Sequence, residues 1–202
     1  LGSWKYRMGE KTGPGVIIRV GHEGYTSGGP EFSASLLGLV FHLPNIHIAV
    51  PRTPYHAKGL LKTAMRSDQP TLFFEHKKMY EIEGEIPDED YTFPFGVASV
   101  VRSGKHITLV SWSWLSLLSQ RAAAILQKKG IEVEIIILHT LNPLDIGTIL
   151  NSGRKTGRVI VVEEDMLRGG IGSEIIAQIA EILPSCKFQR LAAKNVPVPP
   201  VF

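Results

Sequence analysis

Cysteine is almost absent: Cys186 stands alone in 202 residues. No internal disulfide can form, and no cysteine-based zinc site can be built. A reducing compartment fits that usage. Long apolar runs are missing as well. None approaches the ~18 residues of a membrane helix, so no membrane span is expected. Charge of one sign never accumulates: the formal net charge of +3 is spread along the chain, which gives no reason to expect nucleic acid. There is no G-x-S-x-G nucleophile turn. The histidines show no metal spacing. His42 and His47 are separated by Pro44, and His76, His106 and His139 are isolated, so scattered surface or core positions are expected. The opening LGSWKYRMGEKTG lacks signal-peptide layout, and it begins on Leu1 rather than methionine. The chain is therefore read as a piece of a longer protein.

What is present is a core. Hydrophobic residues make up 44% and charged residues 20%, a balance that folds, at a length for one large domain or two small ones. In the first half, strands are expected at 15–20, 46–50 and 71–76. A helix is expected over 32–43, closed by Pro44, and another over 53–67, with Thr53 as N-cap and Pro54 at its first position. Residues 77–96, charged and proline-bearing, read as a linker. In the second half, strands are expected at 107–112, 133–140, 158–165 and 188–193. The runs IIIL and VIVV are apolar on both faces, as in a parallel sheet covered on both sides. Leu115, Leu118, Ala122, Ile125 and Lys129 follow the helical period, with Gly130 at the C-terminal cap. Ile171, Ile175, Ile179 and Ile182 make a second stripe. Asn142 and Pro143 are read as cap and first residue of a third helix. The alternation implies an α/β fold with right-handed crossovers, residues 98–202 forming an autonomous, mainly parallel three-layer unit.

Three stretches are candidates for chemistry. SGGPEFSASLLG (27–38) is a glycine loop leading to Glu31, Phe32 and Ser33, the kind of loop that carries a side chain to the rim of a sheet. RGGIGSE (168–174) follows a strand and opens a helix. It lacks the full G-x-G-x-x-G pattern and a ribose-binding acid, so its glycines are read as serving close packing. VVEED puts Glu163, Glu164 and Asp165 at the carboxyl end of a parallel strand, where open α/β sheets place ligands. The reading favoured for them is a solvated strand end.

One longer stretch is family-specific. HLPNIHIAVPRTPYHAKGLLKTAMRSDQPTLFFEHKKMY (42–80) carries P-x-(T/S)-P-x-x-A-K-G-L-L and D-x-P-x-x-x-x-E. It resembles the β subunit of the thiamine-diphosphate-dependent 2-oxo acid dehydrogenases (pyruvate, branched-chain and acetoin types), within the transketolase-like superfamily. GEIPDEDYTFPFGVASVVRSGKHITLVSW, LNPLDIGTILNSGRKTGRVIVVEED, RGGIGSEI and NVPVP continue the likeness over nearly the whole chain.

The resemblance implies a partial pyrimidine-binding domain with a parallel sheet over residues 1–90. Over 91–202 it implies a transketolase C-terminal-type three-layer α/β domain. It implies oxidative decarboxylation of a small-molecule 2-oxo acid with acyl transfer to lipoyl groups, and an isolated chain that is inactive. The cofactor would be thiamine diphosphate with magnesium, shared with a partner α subunit in a heterotetramer, its activating glutamate upstream of Leu1. A lipoyl-bearing acyltransferase would be the further partner. The location would be cytoplasmic, or the mitochondrial matrix in a eukaryote. In the family the 27–38 loop presents a His followed by Ser. Here Phe32 takes the His slot between Glu31 and Ser33, and phenylalanine cannot move a proton. His22 and Glu31 are the neighbours that could substitute. Family members also hold potassium through main-chain carbonyls. The matching positions are Ile17, Ala64, Met65, Ser67 and Gln69, Ser67 standing where the family often has Asp. A non-catalytic assembly paralogue and a split transketolase or deoxyxylulose-phosphate synthase-like enzyme are the alternatives.

Overall fold

The computed structural model describes residues 1–9, 13–22 and 28–199; Ser27 of the glycine loop lies outside them. The strands are β1 (Ile17–His22), β2 (His47–Ala49), β3 (Thr71–His76), β4 (Ser99–Arg102), β5 (Ile107–Trp112), β6 (Val133–Leu138), β7 (Thr140–Asn142), β8 (Arg158–Met166) and β9 (Lys187–Ala193). The helices are α1 (Trp4–Met8), α2 (Pro30–Ser33), α3 (Leu37–Phe41), α4 (Pro54–Met65), α5 (Leu115–Gln127), α6 (Ile146–Thr156) and α7 (Ile171–Ile182). Two sheets carry the α/β fold, in the orders β1-β3-β2-β7 and β4-β6-β5-β8-β9. Both are parallel except at one edge each: β7 runs antiparallel to β2, and β4 to β6.

The apolar runs build the second sheet as their pattern requires. Ile135 and Ile137 pack with Ala123 of α5 on one face. Ile136 and Leu138 pack with Ile149 of α6 and with Ile171, Ile175 and Ile179 of α7 on the other. Period-2 alternation within a fully apolar strand thus feeds two helix layers. Helix α4 starts as its sequence says: Thr53 is extended, and its hydroxyl accepts the His56 N–H at 3.4 Å.

Four local readings need correction. The strand expected over 133–140 ends at Leu138, and the chain then crosses to the first sheet. There β7 pairs with β2, Thr140 opposite Ala49 and Asn142 opposite Ile48. Residues 98–202 are therefore not self-contained. The helix expected over 32–43 breaks into α2 and α3 around Ala34, which is extended; Ser33 is buried there, and that tertiary contact overrides the local period. The cap of α6 is Asp145, not Asn142. Its carboxylate accepts the Thr148 N–H at 3.0 Å and the Thr148 hydroxyl at 2.7 Å, while Asn142 belongs to β7. Helix α5 buries Leu115, Ser116, Ser119 and Ala123, not the larger stripe, and Ile125 is 59% exposed. Small side chains on that face let the helix lie close to the sheet.

Residues 80–98 hold no helix or strand, yet they are not a free linker. Lys62 of α4 and Arg66, which caps its end, each reach Asp90 at 2.6 Å, Tyr91 stacks on Tyr55 at 4.6 Å, and Phe93 covers Gly59. A Cβ at Gly59 would come within 2.9 Å of Phe93 Cβ. The segment is a strap along α4 that ties the halves together.

Candidate functional site

The glycine loop enters α2 through Gly29, whose φ of 89° is a left-handed value that glycine adopts without strain. Pro30 then starts the turn. This turns Phe32 outward, 69% exposed, with Glu31 also exposed, while Ser33 points in and is 1% exposed. The slot that the resemblance gives to histidine is thus on the surface and filled by a side chain with no donor or acceptor. His22, one of the two candidate stand-ins, ends β1. It is 4% exposed, edge-on to Phe74 at 5.4 Å and to His76 at 5.7 Å. Neither ring nitrogen has a hydrogen-bond partner among the described residues. Burial, with the neighbouring His76 ring adding to it, lowers its pKa to about 3, so it is neutral at physiological pH.

The carboxyl ends of β3 and β8, one from each sheet, meet beside it. His76 Nδ1 accepts the Lys78 N–H at 3.2 Å. That assigns the ring proton to Nε2, which donates to Glu164 Oε1 at 3.1 Å. Trp114 stacks on the His76 ring at 6.0 Å, and Lys78 Nζ lies 5.4 Å from the Trp114 ring centre. The dyad links residues 88 apart in sequence, and no spacing rule could have paired them.

The VVEED end is not solvated. Glu163 is 3% and Asp165 4% exposed, because they continue the inward-facing alternation of Val159 and Val161 along β8. That face of β8 meets the start of α7, where Glu163 Oε2 accepts the Gly172 N–H at 3.0 Å. The glycines of RGGIGSE serve this approach. A Cβ at Gly172 would lie 2.5 Å from Glu163 Oε1, and one at Gly170 would lie 2.7 Å from Oε2. Burial pushes the Glu163 carboxyl up to about 7, against the pull of the Gly172 N–H. Burial also raises Asp165, against Ser35 and the Gly38 N–H. The Glu163 carboxylate therefore ties the start of α7 to the strand end. Between the loop, β8 and the 191–198 segment lies a cavity of about 390 Å³, with Ser33, Glu163 and Glu164 among its lining.

A second histidine pair lies at the junction of the halves. His56 and His139 stack 3.8 Å apart at 10°. Thr53 Oγ1 lies 2.6 Å from His56 Nδ1, and Ser99 Oγ 2.8 Å from His139 Nε2. Burial first, then the neighbouring cations, lower His56 to about 4 and His139 to about 3. Of the residues matched to a potassium site, Ile17 pairs with Thr71 across β1–β3, and Ala64 and Met65 end α4. Ser67 Oγ accepts the Gln69 N–H at 3.1 Å, and the Ala64 carbonyl accepts the Ser67 N–H at 3.1 Å.

The described residues do not fit thiamine diphosphate as a whole. No group of three or more His, Cys, Asp or Glu side chains able to hold a metal lies among them. The glycine-flanked start of α7, where a diphosphate could otherwise sit, is filled by the Glu163 carboxylate. No helix among the described residues is long and apolar enough to cross a membrane.

Fold and site together define a class of protein. The family model of the transketolase pyrimidine binding domain matches residues 4–83, and that of the transketolase C-terminal domain matches residues 96–201. The chain belongs to this transketolase-type family. Curated relatives of the chain include β subunits. The acetoin:2,6-dichlorophenolindophenol oxidoreductase subunit beta of Cupriavidus necator is 40% identical over 88% of this chain and 53% of that protein. The 2-oxoisovalerate dehydrogenase subunit beta of Bacillus subtilis is 37% identical over 97% of this chain and 61% of that protein. The pyruvate dehydrogenase E1 component subunit beta of Bacillus subtilis is 41% identical over 87% and 54%. A solved split-gene transketolase, titled an inactive beta4 tetramer, superposes with a TM-score of 0.76 at 25% identity, covering 90% of this chain and 58% of that one. The chain thus spans only 53% to 61% of the length of these three curated relatives.

Proposed function

We propose that this chain is the C-terminal part of a β subunit of a thiamine-diphosphate-dependent 2-oxo acid dehydrogenase. Residues 1–90 would complete a pyrimidine-binding domain and residues 91–202 would form the C-terminal domain. The observation that carries this reading is the likeness to acetoin, 2-oxoisovalerate and pyruvate enzyme β subunits at 37–41% identity across both matched domains. The subunit acts with an α-type partner, which carries the diphosphate and its magnesium. The activating carboxylate comes from sequence upstream of Leu1, in keeping with the poor fit of the described residues. The 2-oxo acid is decarboxylated on the shared cofactor, and the acyl group passes to a lipoyl-bearing acyltransferase. Ile17, Ala64, Met65, Ser67 and Gln69 offer main-chain oxygens to a potassium ion. Glu31, Phe32 and Ser33 form the loop at the cleft, Phe32 leaving it without a proton carrier.

The test is assembly. The full-length gene product is co-expressed with the α-type chain encoded beside it and weighed by native mass spectrometry. A heterotetramer that binds thiamine diphosphate is expected. A chain that forms only homo-oligomers, like the inactive split transketolase subunit, would overturn the reading. Calorimetry on the 202-residue chain alone should show no binding. Micromolar affinity, about −8 kcal/mol, would contradict the placing of the cofactor site elsewhere.

A further inference from the structure

Strands β2 and β3 lie side by side in the first sheet, and beyond their carboxyl ends the 51–57 and 75–82 segments line a pocket of about 200 Å³. Open α/β sheets place ligands at such strand ends. Pro54, Ala57, Met79 and Ile82 supply apolar wall. Among the described residues lining it, Arg52 is the one lysine or arginine and Glu75 the one acid. Arg52 is half-buried, and burial lowers its pKa with no carboxylate acting to restore it. Its Nη2 donates to the side-chain oxygen of Gln120 at 2.8 Å, a neutral partner. Its Nε is enclosed without a partner, whereas Nη1 makes no hydrogen bond and is not enclosed. A charge drawn out of water normally has a counter-ion. Among the described residues this guanidinium has none.

The surrounding charge sets the sign of a ligand. Both oxygens of Glu75 are engaged: Oε1 accepts Arg19 Nε at 2.8 Å, and Oε2 accepts Arg19 Nη2 at 3.0 Å and the Tyr80 hydroxyl at 2.7 Å. Arg19 therefore answers its charge. His56 and His139, on which the Arg52 charge acts, are lowered first by burial to about 4 and about 3, so neither adds a counter-charge. Helix α4 starts at the same wall with no acid in its first turn, and its positive end adds to the field. A carboxylate brings the missing charge and the acceptor that Nη1 lacks. A cationic ligand is repelled by Arg52, and a neutral one leaves it uncompensated. The volume, below the ~300 Å³ of drug-sized sites, limits the ligand to a few carbon atoms.

We propose that this pocket binds a small aliphatic carboxylate, its carboxyl group on Arg52 Nη1 and its chain along Met79 and Ile82. The site uses residues of this chain alone, none of them in the 28–38 loop. It stands whether or not the chain assembles with an α-type partner.

The test uses the 202-residue chain with butanoate, and with butanamide and butylammonium as controls of the same length, followed by NMR of the backbone amides and of the arginine Nε–H groups. Butanoate should give saturable shifts at the Arg52 Nε–H and at the amides of residues 75–82. It should bind at least about tenfold tighter than butanamide, as a charge-assisted hydrogen bond requires. Butylammonium should not bind. Arg52→Gln should weaken butanoate by about tenfold or more, and Arg52→Lys, which keeps the charge but not the planar fork, by less. Equal affinity for butanoate and butanamide, shifts that grow without saturation, or saturable shifts that spare Arg52 overturn the proposal. Should Arg52→Gln fail to fold, the comparison of acid and amide on the unaltered chain, with the Arg52 Nε–H as reporter, still decides.

Discussion

Gly172→Ala tests how the second sheet holds the carboxyl end of β8. The new Cβ would sit 2.5 Å from Glu163 Oε1, 3.1 Å from its Cδ and 3.2 Å from Val161 Cγ1. Val161 is fully buried and cannot withdraw, so the carboxylate must move. Moving it breaks the 3.0 Å bond from the Gly172 N–H and leaves a buried acid and a helix-start donor unpaired. An unpaired buried group costs about 1–3 kcal/mol, and overpacking adds about 1–3 kcal/mol. Alanine's better helix propensity returns at most about 1 kcal/mol. The net loss is about 1–6 kcal/mol. For a chain of this size each kcal/mol lowers Tm by roughly 2–4 °C, so a fall of roughly 2–24 °C is expected. Urea denaturation read by circular dichroism, with calorimetric Tm beside it, measures both. A loss below about 0.5 kcal/mol, the size of an ordinary surface change, would refute the wedging of Glu163 between glycines.

Asp145→Ala removes the acceptor for the Thr148 N–H, the Thr148 hydroxyl and the Ala98 N–H at 2.9 Å. A helix cap alone is worth about 1 kcal/mol, so a loss of about 2 kcal/mol in urea is expected, and no change would show that the cap is idle. His22→Phe probes the buried imidazole by pH. His22 has a folded pKa of about 3, below its ordinary 6.5. Its contribution is complete above 6.5 and is lost as pH falls toward 3. The variant lacks that loss, so its stability relative to the parent should grow on acidification, by up to about 1.4 kcal/mol per pH unit; parallel pH profiles would contradict the burial of an uncharged ring. Glu163→Gln should act in the opposite sense. The raised Glu163 favours the fold below about 4.5 and loses that contribution as pH rises through about 7, so the variant's stability should fall less over that range.

Much of the frame was legible because the relevant physics is local. Thr53-Pro54 marked the start of α4, and the doubly apolar runs marked β6 and β8 as interior parallel strands. What escaped was set by distant contact. Nothing near Thr140 announces that it will pair with Ala49, and the short β4 carries too few residues to stand out from its loop. Glu163 and Asp165 looked like a solvated end because they are charged, yet they keep the inward alternation of β8, and the glycines of the next helix let it close over Glu163. The His76–Glu164 pair and the stacked His56–His139 pair arise from chain segments that meet only in the folded state. The 28–38 loop was found from its glycines, and its likeness to a family loop identified Phe32 as the departure. The inward turn of Ser33 and the cavity under it needed the structure.

The most direct test of the loop's place in the proposed enzyme is Phe32→His in the reconstituted complex of full-length β and α chains. Decarboxylation, read with an artificial electron acceptor, depends mainly on the cofactor and should change little. Transfer of the acyl group to a lipoyl acceptor needs a proton donor near the dithiolane. Supplying one is worth about 10²–10⁴-fold in rate, and Phe32→His should recover a large part of that. A parent complex that already transfers acyl groups rapidly, with Phe32→His leaving the rate unchanged, would contradict the assignment of the lost proton carrier to position 32.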